Sequence, residues 1–331
     1  MLKRAFGLST VILFGALALS ACRAKSPDSS LDVAVDGLYG GALSSQASHA
    51  VIGAFTHGGS YWQLQPGERL FDWDHGDSED SNITTAAFSP DGRYVMTSDR
   101  QTMVLWDTST GQDLTYWRAP AEIHSLAISN ATDIGVLAAL ALDNHNAVIF
   151  NASRGRVLRE FLHDNRVLSV DLSDDGRWLL SGSEDQRAVY WSVADGREVS
   201  RFEHSDDVRL VKLSADGSLA LSVSKYDKAM VWRTADGSEV GEVPILGDAL
   251  RRGRTFSAAH FSQDNNQLIT GSSDRMVQLW QLPTMQEMTR WEIPKKSAWK
   301  PTGAAVVDVG FNRNGDVVAI ASNGTIHHMR P

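Results

Sequence analysis

The sequence predicts an all-β fold, a seven-bladed β-propeller of four-stranded blades. Three observations predict it: turn glycines that recur every 41 to 44 residues, an aromatic residue at one place in six repeats, and short apolar runs without a long helical period. Repeats of about 40 to 50 residues that each hold four short strands are typical of propellers, in which every repeat supplies one blade.

The stretch LSDDGRWLLSGSEDQRAVYW, residues 172–191, shows the order of parts in one repeat. A hydrophobic-Ser pair leads to an Asp-Gly turn, an apolar run, a Ser/Asp cluster, a second apolar run and an aromatic residue. Asp-Gly or Asn-Gly between β-prone runs predicts a hairpin, because glycine accepts the positive φ of tight hairpin turns. These turns contain Gly92, Gly176, Gly217 and Gly315, and a second set separates the third strand from the fourth: Gly67, Gly111, Gly155, Gly196 and Gly237.

The aromatic residues of the predicted third strand number the blades. They are Trp62, Trp106, Phe150, Trp191, Trp232 and Trp280, and the seventh repeat carries His327 at the matching place. The seventh repeat stops one strand short, so we expect a strand from Leu31 to Val35 to complete it. Pairing the two ends would close the ring and leave no open sheet edge for aggregation.

These repeats resemble the WD-repeat propeller family, over residues 31–331, which we expect to form one domain. The resemblance implies a hydrogen-bonded structural tetrad of a loop His, a Ser/Thr on the second strand, an Asp in the next turn and a Trp on the third strand. The blades that match are blade four, with His163, Ser181, Asp185 and Trp191, and blade five, with His204, Ser222, Asp227 and Trp232. Blade two nearly matches, with His75, Thr97, Asp99 and Trp106. Blades one, three and seven depart from the pattern.

The first 21 residues have the features of an export signal: Lys3 and Arg4, an apolar stretch too short for a comfortable membrane span, and small residues at its end. Their continuation LSAC, residues 19–22, resembles the bacterial lipoprotein signal, which implies cleavage before Cys22 and acylation of that residue. Cys22 is the only cysteine, so no internal disulfide is expected. The alternative is an ordinary secretory leader with an incidental cysteine.

Residues 22–30 are expected to form the lipidated cysteine and a polar, unstructured tether. The tether RAKSPDSS, residues 23–30, would span at most roughly 26 Å at about 3.3 Å per residue. In Gram-negative bacteria an Asp after the lipidated cysteine tends to retain a lipoprotein in the inner membrane. Because Arg23 stands there, we expect an outer-membrane lipoprotein that faces the periplasm, with the inner membrane as the alternative.

Charge excludes one class of partner. Removal of residues 1–21 takes away two basic side chains and leaves 29 basic against 40 acidic ones, a net charge of −11. That balance argues against a nucleic-acid partner. The sequence also lacks a Gly-rich phosphate loop and Cys-His metal spacing, so no cofactor and no metal are expected.

The loops that lead from the outer strand of one blade to the inner strand of the next share one face of the ring, the top face. Those into blades six and seven are basic, and the loop into blade two is acidic. We expect an unidentified protein partner to dock on the following side chains: Arg251, Arg252, Arg254, Lys295, Lys296, Trp299, Lys300, Asp77, Glu79 and Asp80. Trp and Arg are the residue types most enriched at binding hot spots. The alternative is that these charges only keep the protein soluble.

The predicted inner strands offer the best case for an enzyme. Aligned on the hydrophobic-Ser pair, they put Asp171, Lys212 and His260 at one height near the axis. A carboxylate, an amine and an imidazole together could perform acid-base chemistry or bind a small ligand. The other interpretation, which we favour, is an Asp171–Lys212 pair wetted by channel water. We therefore expect a non-catalytic interaction scaffold, with a propeller enzyme or ligand-binding protein as the alternative.

Overall fold

A computed structural model describes residues 24–75, 82–226, 228–245, 255–296 and 303–331. Across these ranges the chain forms 28 strands in seven four-stranded antiparallel sheets. No helix in the same ranges is long and apolar enough to cross a membrane. The predicted all-β, seven-bladed propeller is confirmed.

Each sheet is one blade, and in blades one to six the strands follow chain order from the ring axis outward. The chain begins with β1 (Ser29–Asp32), followed by blade one, β2 (Leu38–Leu43), β3 (His49–Ala54), β4 (Gly58–Gln63) and β5 (Glu68–Trp73). Blade two is β6 (Thr85–Phe88), β7 (Tyr94–Ser98), β8 (Thr102–Asp107) and β9 (Asp113–Arg118), and blade three is β10 (Ile123–Thr132), β11 (Gly135–Leu142), β12 (Asn146–Asn151) and β13 (Arg156–Leu162).

The remaining blades repeat this arrangement. Blade four is β14 (Val167–Leu172), β15 (Trp178–Ser183), β16 (Arg187–Ser192) and β17 (Glu198–Glu203), and blade five is β18 (Val208–Leu213), β19 (Leu219–Ser224), β20 (Ala229–Arg233) and β21 (Glu239–Val243). Blade six is β22 (Phe256–Phe261), β23 (Gln267–Ser272), β24 (Met276–Gln281) and β25 (Gln286–Glu292), and blade seven is β26 (Val306–Phe311), β27 (Val317–Ala321) and β28 (Thr325–Met329), completed by β1.

The core lies between the blades. Inner strands pack each against the next around the ring, and β26 returns to β2. Among the described residues, seven clusters of buried apolar side chains fill the seven spaces between neighbouring blades. At one such space the blades touch through backbone, since a Cβ on Gly53 would lie 2.1 Å from the Ile83 carbonyl oxygen. Neighbouring blades therefore depend on one another for burial.

The turn glycines adopt the positive φ that the hairpin prediction requires. Gly92, Gly176, Gly217 and Gly315 have φ of +74°, +70°, +69° and +81°, in the left-handed region where a Cβ is strained. These turns fix where each first strand ends and each second strand begins. Because side chains alternate along a strand, they also fix which residues face the axis.

Ring closure by an N-terminal strand is confirmed, but the strand begins two residues earlier and ends three residues earlier than predicted. It spans Ser29–Asp32 and pairs antiparallel with β28, whereas the sequence predicted Leu31 to Val35. The chain leaves the ladder at Val33, because the amides of Val33 and Ala34 both donate to the Gly324 carbonyl, at 2.9 and 3.1 Å. An outer strand is solvated, so its apolar pattern is a poor guide to its bounds.

In the seventh blade, the residue predicted to match the third-strand aromatic residues of the other blades is wrong. Val317 pairs with Met329 at the ladder position where Leu179 pairs with Trp191 in blade four. Met329, and not His327, therefore occupies the position that the aromatic residues hold in the other blades. His327 is instead buried, with Nδ1 2.7 Å from the Ser30 hydroxyl and Nε2 2.7 Å from the Thr325 hydroxyl. It thereby joins the closing strand to blade seven.

Candidate functional site

Blade four contains a complete hydrogen-bonded tetrad. The Trp191 indole N–H donates to Ser181 Oγ at 2.8 Å, and His163 Nε2 lies 2.8 Å from the same oxygen. His163 Nδ1 lies 2.8 Å from the Asp185 carboxylate. Burial opposes ionisation of Asp185, but hydrogen bonds from His163 and backbone amides hold its pKa below the usual range. All four side chains bond to one another, so the tetrad has a structural role.

Blade two varies the same arrangement. The Trp106 indole N–H donates to Thr97 Oγ1 at 2.7 Å, and His75 Nε2 lies 2.7 Å from that oxygen. His75 Nδ1 and the Asp99 carboxylate are 3.9 Å apart. Thr102 bridges them, because its hydroxyl donates to Asp99 and lies 3.3 Å from His75 Nδ1. The sequence pattern gave no sign of this extra member.

Blade five places its predicted residues in the same way as far as the structure describes them. The Trp232 indole N–H donates to Ser222 Oγ at 3.1 Å, and His204 Nε2 lies 2.8 Å from that oxygen. Asp227 lies outside the described residues.

Blades one and three have apolar side chains where the tetrad hydroxyl would be. In blade four the tetrad residue Ser181 lies two residues after Leu179, which pairs with Trp191. The equivalent positions hold Ile52 in blade one and Leu140 in blade three. Trp62 therefore donates its indole N–H to Ser60 of its own strand, at 2.8 Å. A blade does not require the tetrad, because both of these blades form complete four-stranded sheets without it.

The ladders place Asp171, Lys212 and His260 at equivalent positions of β14, β18 and β22, each half-buried. Asp171 raises the pKa of Lys212 against the effect of desolvation. Desolvation, with Lys212 nearby, lowers the pKa of His260 to about 4. The structure adds Asp308 to this group. Desolvation raises the pKa of Asp308, and the nearby positive charge of Lys212 partly opposes that rise. At neutral pH the axis thus holds a cationic lysine and a neutral histidine.

Both axial carboxylates accept hydrogen bonds from backbone amides of the next blade. Asp171 accepts from the Leu213 amide of blade five at 2.8 Å, and Asp308 accepts from the Leu43 amide of blade one at 2.8 Å. Each carboxylate therefore links its inner strand to the next blade. The predicted Asp171–Lys212 pair acts through the charge of Asp171 and not through direct contact. The ion pairs of the described residues do not include one between these two side chains.

The axial residues form no metal cluster among the described residues, and a cavity lies away from them. Among the described residues, no group of three or more His, Cys, Asp or Glu side chains is placed to hold a metal ion. A cavity of about 270 Å³ opens instead at the closure seam, between Gln65 of blade one and His328 of blade seven. The three predicted axial residues do not line it.

Most of the predicted docking residues lie outside the described residues: Asp77, Glu79, Asp80, Arg251, Arg252, Arg254, Trp299 and Lys300. Lys295 and Lys296 are described, at the start of the loop into blade seven. Lys295 is exposed. The Lys296 ammonium donates to the Ala34 carbonyl at 2.7 Å and lies 3.1 Å from the Asp32 carboxylate. Lys296 thus positions the loop that follows β1.

That loop carries part of an exposed apolar patch on the top face, which we call the aromatic patch: Val35, Tyr39 and Phe55. Their exposed fractions are 73%, 47% and 45%, and the rings of Tyr39 and Phe55 lie 4.4 Å apart. The Phe55 amide donates to the Gly37 carbonyl at 3.2 Å, which joins the turn to the loop.

Sequence reasoning missed the aromatic patch because it examined charge. The signal that could have found it is three large apolar residues at predicted top-face turns. The contact between Tyr39 and Phe55 depends on the pairing of Leu38 with Ala54, which brings two separate turns to one end of blade one.

Comparison with known families agrees with this architecture. The family described as "WD domain, G-beta repeat" matches residues 70–107, 155–192 and 253–281. The first range begins in the outer strand of blade one, and the second begins one residue before the outer strand of blade three. All three ranges end at the last residue of a third strand. The repeat is thus offset from the blade by one strand, the same offset that makes β1 complete blade seven. No curated protein matches the chain.

Proposed function

Because the chain carries WD40 repeats on a seven-bladed propeller, a fold that generally mediates protein–protein interactions, we propose that it is a non-catalytic scaffold that docks a protein partner. We propose further that Cys22 is lipidated and holds the scaffold at the periplasmic side of a bacterial outer membrane. The observation that carries the docking proposal is the aromatic patch on the top face.

The aromatic patch has the composition of a binding hot spot. Exposed apolar side chains gain free energy when a partner removes them from water, at roughly 25 cal/mol per Å². Aromatic rings contribute most at interfaces, because they bury a large area for few rotatable bonds. Tyr39 and Phe55 are already in contact, so a partner would meet a preformed surface.

Charge around the aromatic patch has both signs, since exposed Asp36 lies beside Val35 and the acidic loop into blade two follows blade one. Lys296 is anchored beside Val35, and Lys295 is exposed next to it. The sequence adds further basic residues in the loops into blades six and seven. Complementary charge speeds encounter and disfavours wrong partners. The occupant is therefore a protein segment that packs an apolar side chain onto the rings of Tyr39 and Phe55 and carries charges complementary to these loops.

The lipid anchor is supported by the sequence LSAC at residues 19–22 and by the absence of any other cysteine. Several acyl chains on one residue would anchor the protein stably, since membrane binding grows by about 0.8 kcal/mol per buried CH₂ group. Arg23 after the cysteine supports the outer membrane.

The axial residues support a structural role. The carboxylates of Asp171 and Asp308 each accept two backbone N–H groups. These bonds join neighbouring inner strands, which is the role that we propose for both carboxylates. We therefore propose no reaction for the axis.

The test is a cross-linking pull-down from membranes with the lipidated protein. It compares wild type with a double variant, Tyr39→Ser and Phe55→Ser, and with Tyr116→Ser, which removes an equally exposed ring from β9. We expect one protein to be captured by wild type and Tyr116→Ser and lost from the double variant, and binding to be reproduced with the two purified proteins. Unchanged capture by a folded double variant would show that the patch does not dock the partner.

A further inference from the structure

The chain is fixed to the outer rim of the ring much closer to Cys22 than the sequence predicted. Lys25 forms a parallel bridge with Trp291 on β25. Its amide donates to the Arg290 carbonyl at 2.9 Å, and its carbonyl accepts from the Glu292 amide at 3.0 Å. The Lys25 ammonium lies 6.0 Å from the centre of the Trp291 ring. The expected unstructured tether is thus already held at Lys25.

This contact identifies which part of the ring the N-terminus leaves from. β25 is the outermost strand of blade six, and Lys25 adds to its outer edge. The chain then continues into β1, the outermost strand of blade seven. Both points lie on the rim, away from the axis.

The free length of chain is short. Three residue steps separate Cys22 from Lys25, and an extended chain spans about 3.3 Å per residue, so the two Cα atoms are at most roughly 10 Å apart. A lipid-anchored Cys22 would therefore hold the rim at blades six and seven directly against the headgroups. A tether free to residue 30 would have allowed any orientation.

We infer that the rim around Lys25, formed by the outer strands of blades six and seven, faces a phospholipid headgroup surface, so that the ring stands on its edge and the top face opens sideways into the periplasm. This inference rests on the proposed lipidation of Cys22. It follows that a partner reaches the aromatic patch without passing between the ring and the membrane.

The side chains of this rim suit a headgroup surface. The acidic side chains of β25 are paired with arginines: Glu287 with Arg290 at 2.5 Å, and Glu292 with Arg275 at 2.5 Å. Lys25 is exposed and adds a positive charge. Anionic lipids attract such charges at short range. At β1, Asp32 is paired with Lys296, and Lys25 offsets Asp28, so the rim presents no net negative charge to repel the membrane.

The test measures how close two rims lie to the membrane. Because Cys22 would be blocked by its acyl chain, a cysteine introduced elsewhere would be the only thiol for a spin label. One label replaces Met288, exposed on β25, and the control label replaces Tyr116, exposed on β9 across the ring. The lipidated protein is placed in vesicles of phosphatidylethanolamine and phosphatidylglycerol that contain a nickel-chelating lipid.

We expect nickel at the headgroups to relax the label at residue 288 several-fold more than the label at residue 116. Equal relaxation, or stronger relaxation at 116, would overturn the orientation. A 20-residue Gly-Ser insertion between Arg23 and Ala24 should keep the protein on the vesicles and remove the difference, because such a linker has a root-mean-square span of about 25 Å. A difference that survives the insertion would show that the tether does not set the orientation.

Flotation of the same vesicles separates this inference from the proposed anchor. Wild type should float and Cys22→Ser should not. If wild type fails to float, the lipid anchor itself is wrong. If wild type floats and the two labels relax equally, the anchor stands and only the orientation is wrong.

Discussion

Replacement of Ser181 by alanine tests whether the blade-four tetrad stabilises the ring. The hydroxyl accepts the Trp191 indole N–H and contacts His163 Nε2, both at 2.8 Å. Ser181 is fully buried and His163 nearly so, whereas Trp191 is half-buried. Alanine fits the space and leaves both groups without their partner.

The structure gives the size of the effect. Each buried polar group left unpaired costs about 1–3 kcal/mol, and partial access of Trp191 to water reduces its share, so we expect Ser181→Ala to lower the free energy of unfolding by about 2–4 kcal/mol. Ser60→Ala is the matched control. Ser60 accepts only the indole N–H of Trp62, which is half-buried, so about 1 kcal/mol is expected there.

The assay is urea unfolding followed by tryptophan fluorescence and far-ultraviolet circular dichroism. The midpoint should fall for both variants, and further for Ser181→Ala, with the slope unchanged. Equal midpoints for the two variants would refute the reasoning, because the tetrad would then contribute no more than one isolated hydrogen bond.

Three further predictions concern the ring as a whole. Burial lowers the pKa of His327 to about 4, so the unfolded chain binds more protons as pH falls from about 6.5 to 4. His327 should therefore lower the free energy of unfolding by about 2 kcal/mol between pH 7 and 5 in urea titrations, and His327→Gln should reduce the total drop by that amount, while the contribution of His260 remains. Leu31→Asp should open the ring and raise light scattering by exposing a sheet edge, whereas Ser29→Asp, exposed on the same strand, should not. Gly53→Ala should lower the thermal midpoint, with a cost of about 1–3 kcal/mol, because its Cβ would lie 2.1 Å from the Ile83 carbonyl oxygen; Gly303→Ala, with open space around it, should leave the midpoint unchanged.

The blade count was predictable because each blade depends on local chemistry. Gly176 and Gly217 mark turns that only a positive φ allows, and such positions are visible in one sequence. The bounds of β1 were not predictable in this way. Its outer edge is exposed, so the strand needs no apolar alternation. The hydrogen bonds that end it are accepted by the Gly324 carbonyl, which is far away in the sequence.

The candidate sites were predictable only in part, since they depend on contacts between blades. The alignment placed Asp171, Lys212 and His260 at one height, and the ladders agree. Asp308 escaped notice because it lies two residues from the aligned column, on the same side of its strand. The aromatic patch required knowledge of how two turns meet.

Site-specific photo-cross-linking in intact cells tests the docking proposal most directly. A photoreactive benzoylphenylalanine replaces Phe55 in the aromatic patch, or Leu162, which is exposed at the end of β13. The account predicts a discrete cross-linked protein at residue 55 and none at residue 162. Absence of an adduct at residue 55, or the same adduct at both positions, would contradict a partner docked on the aromatic patch.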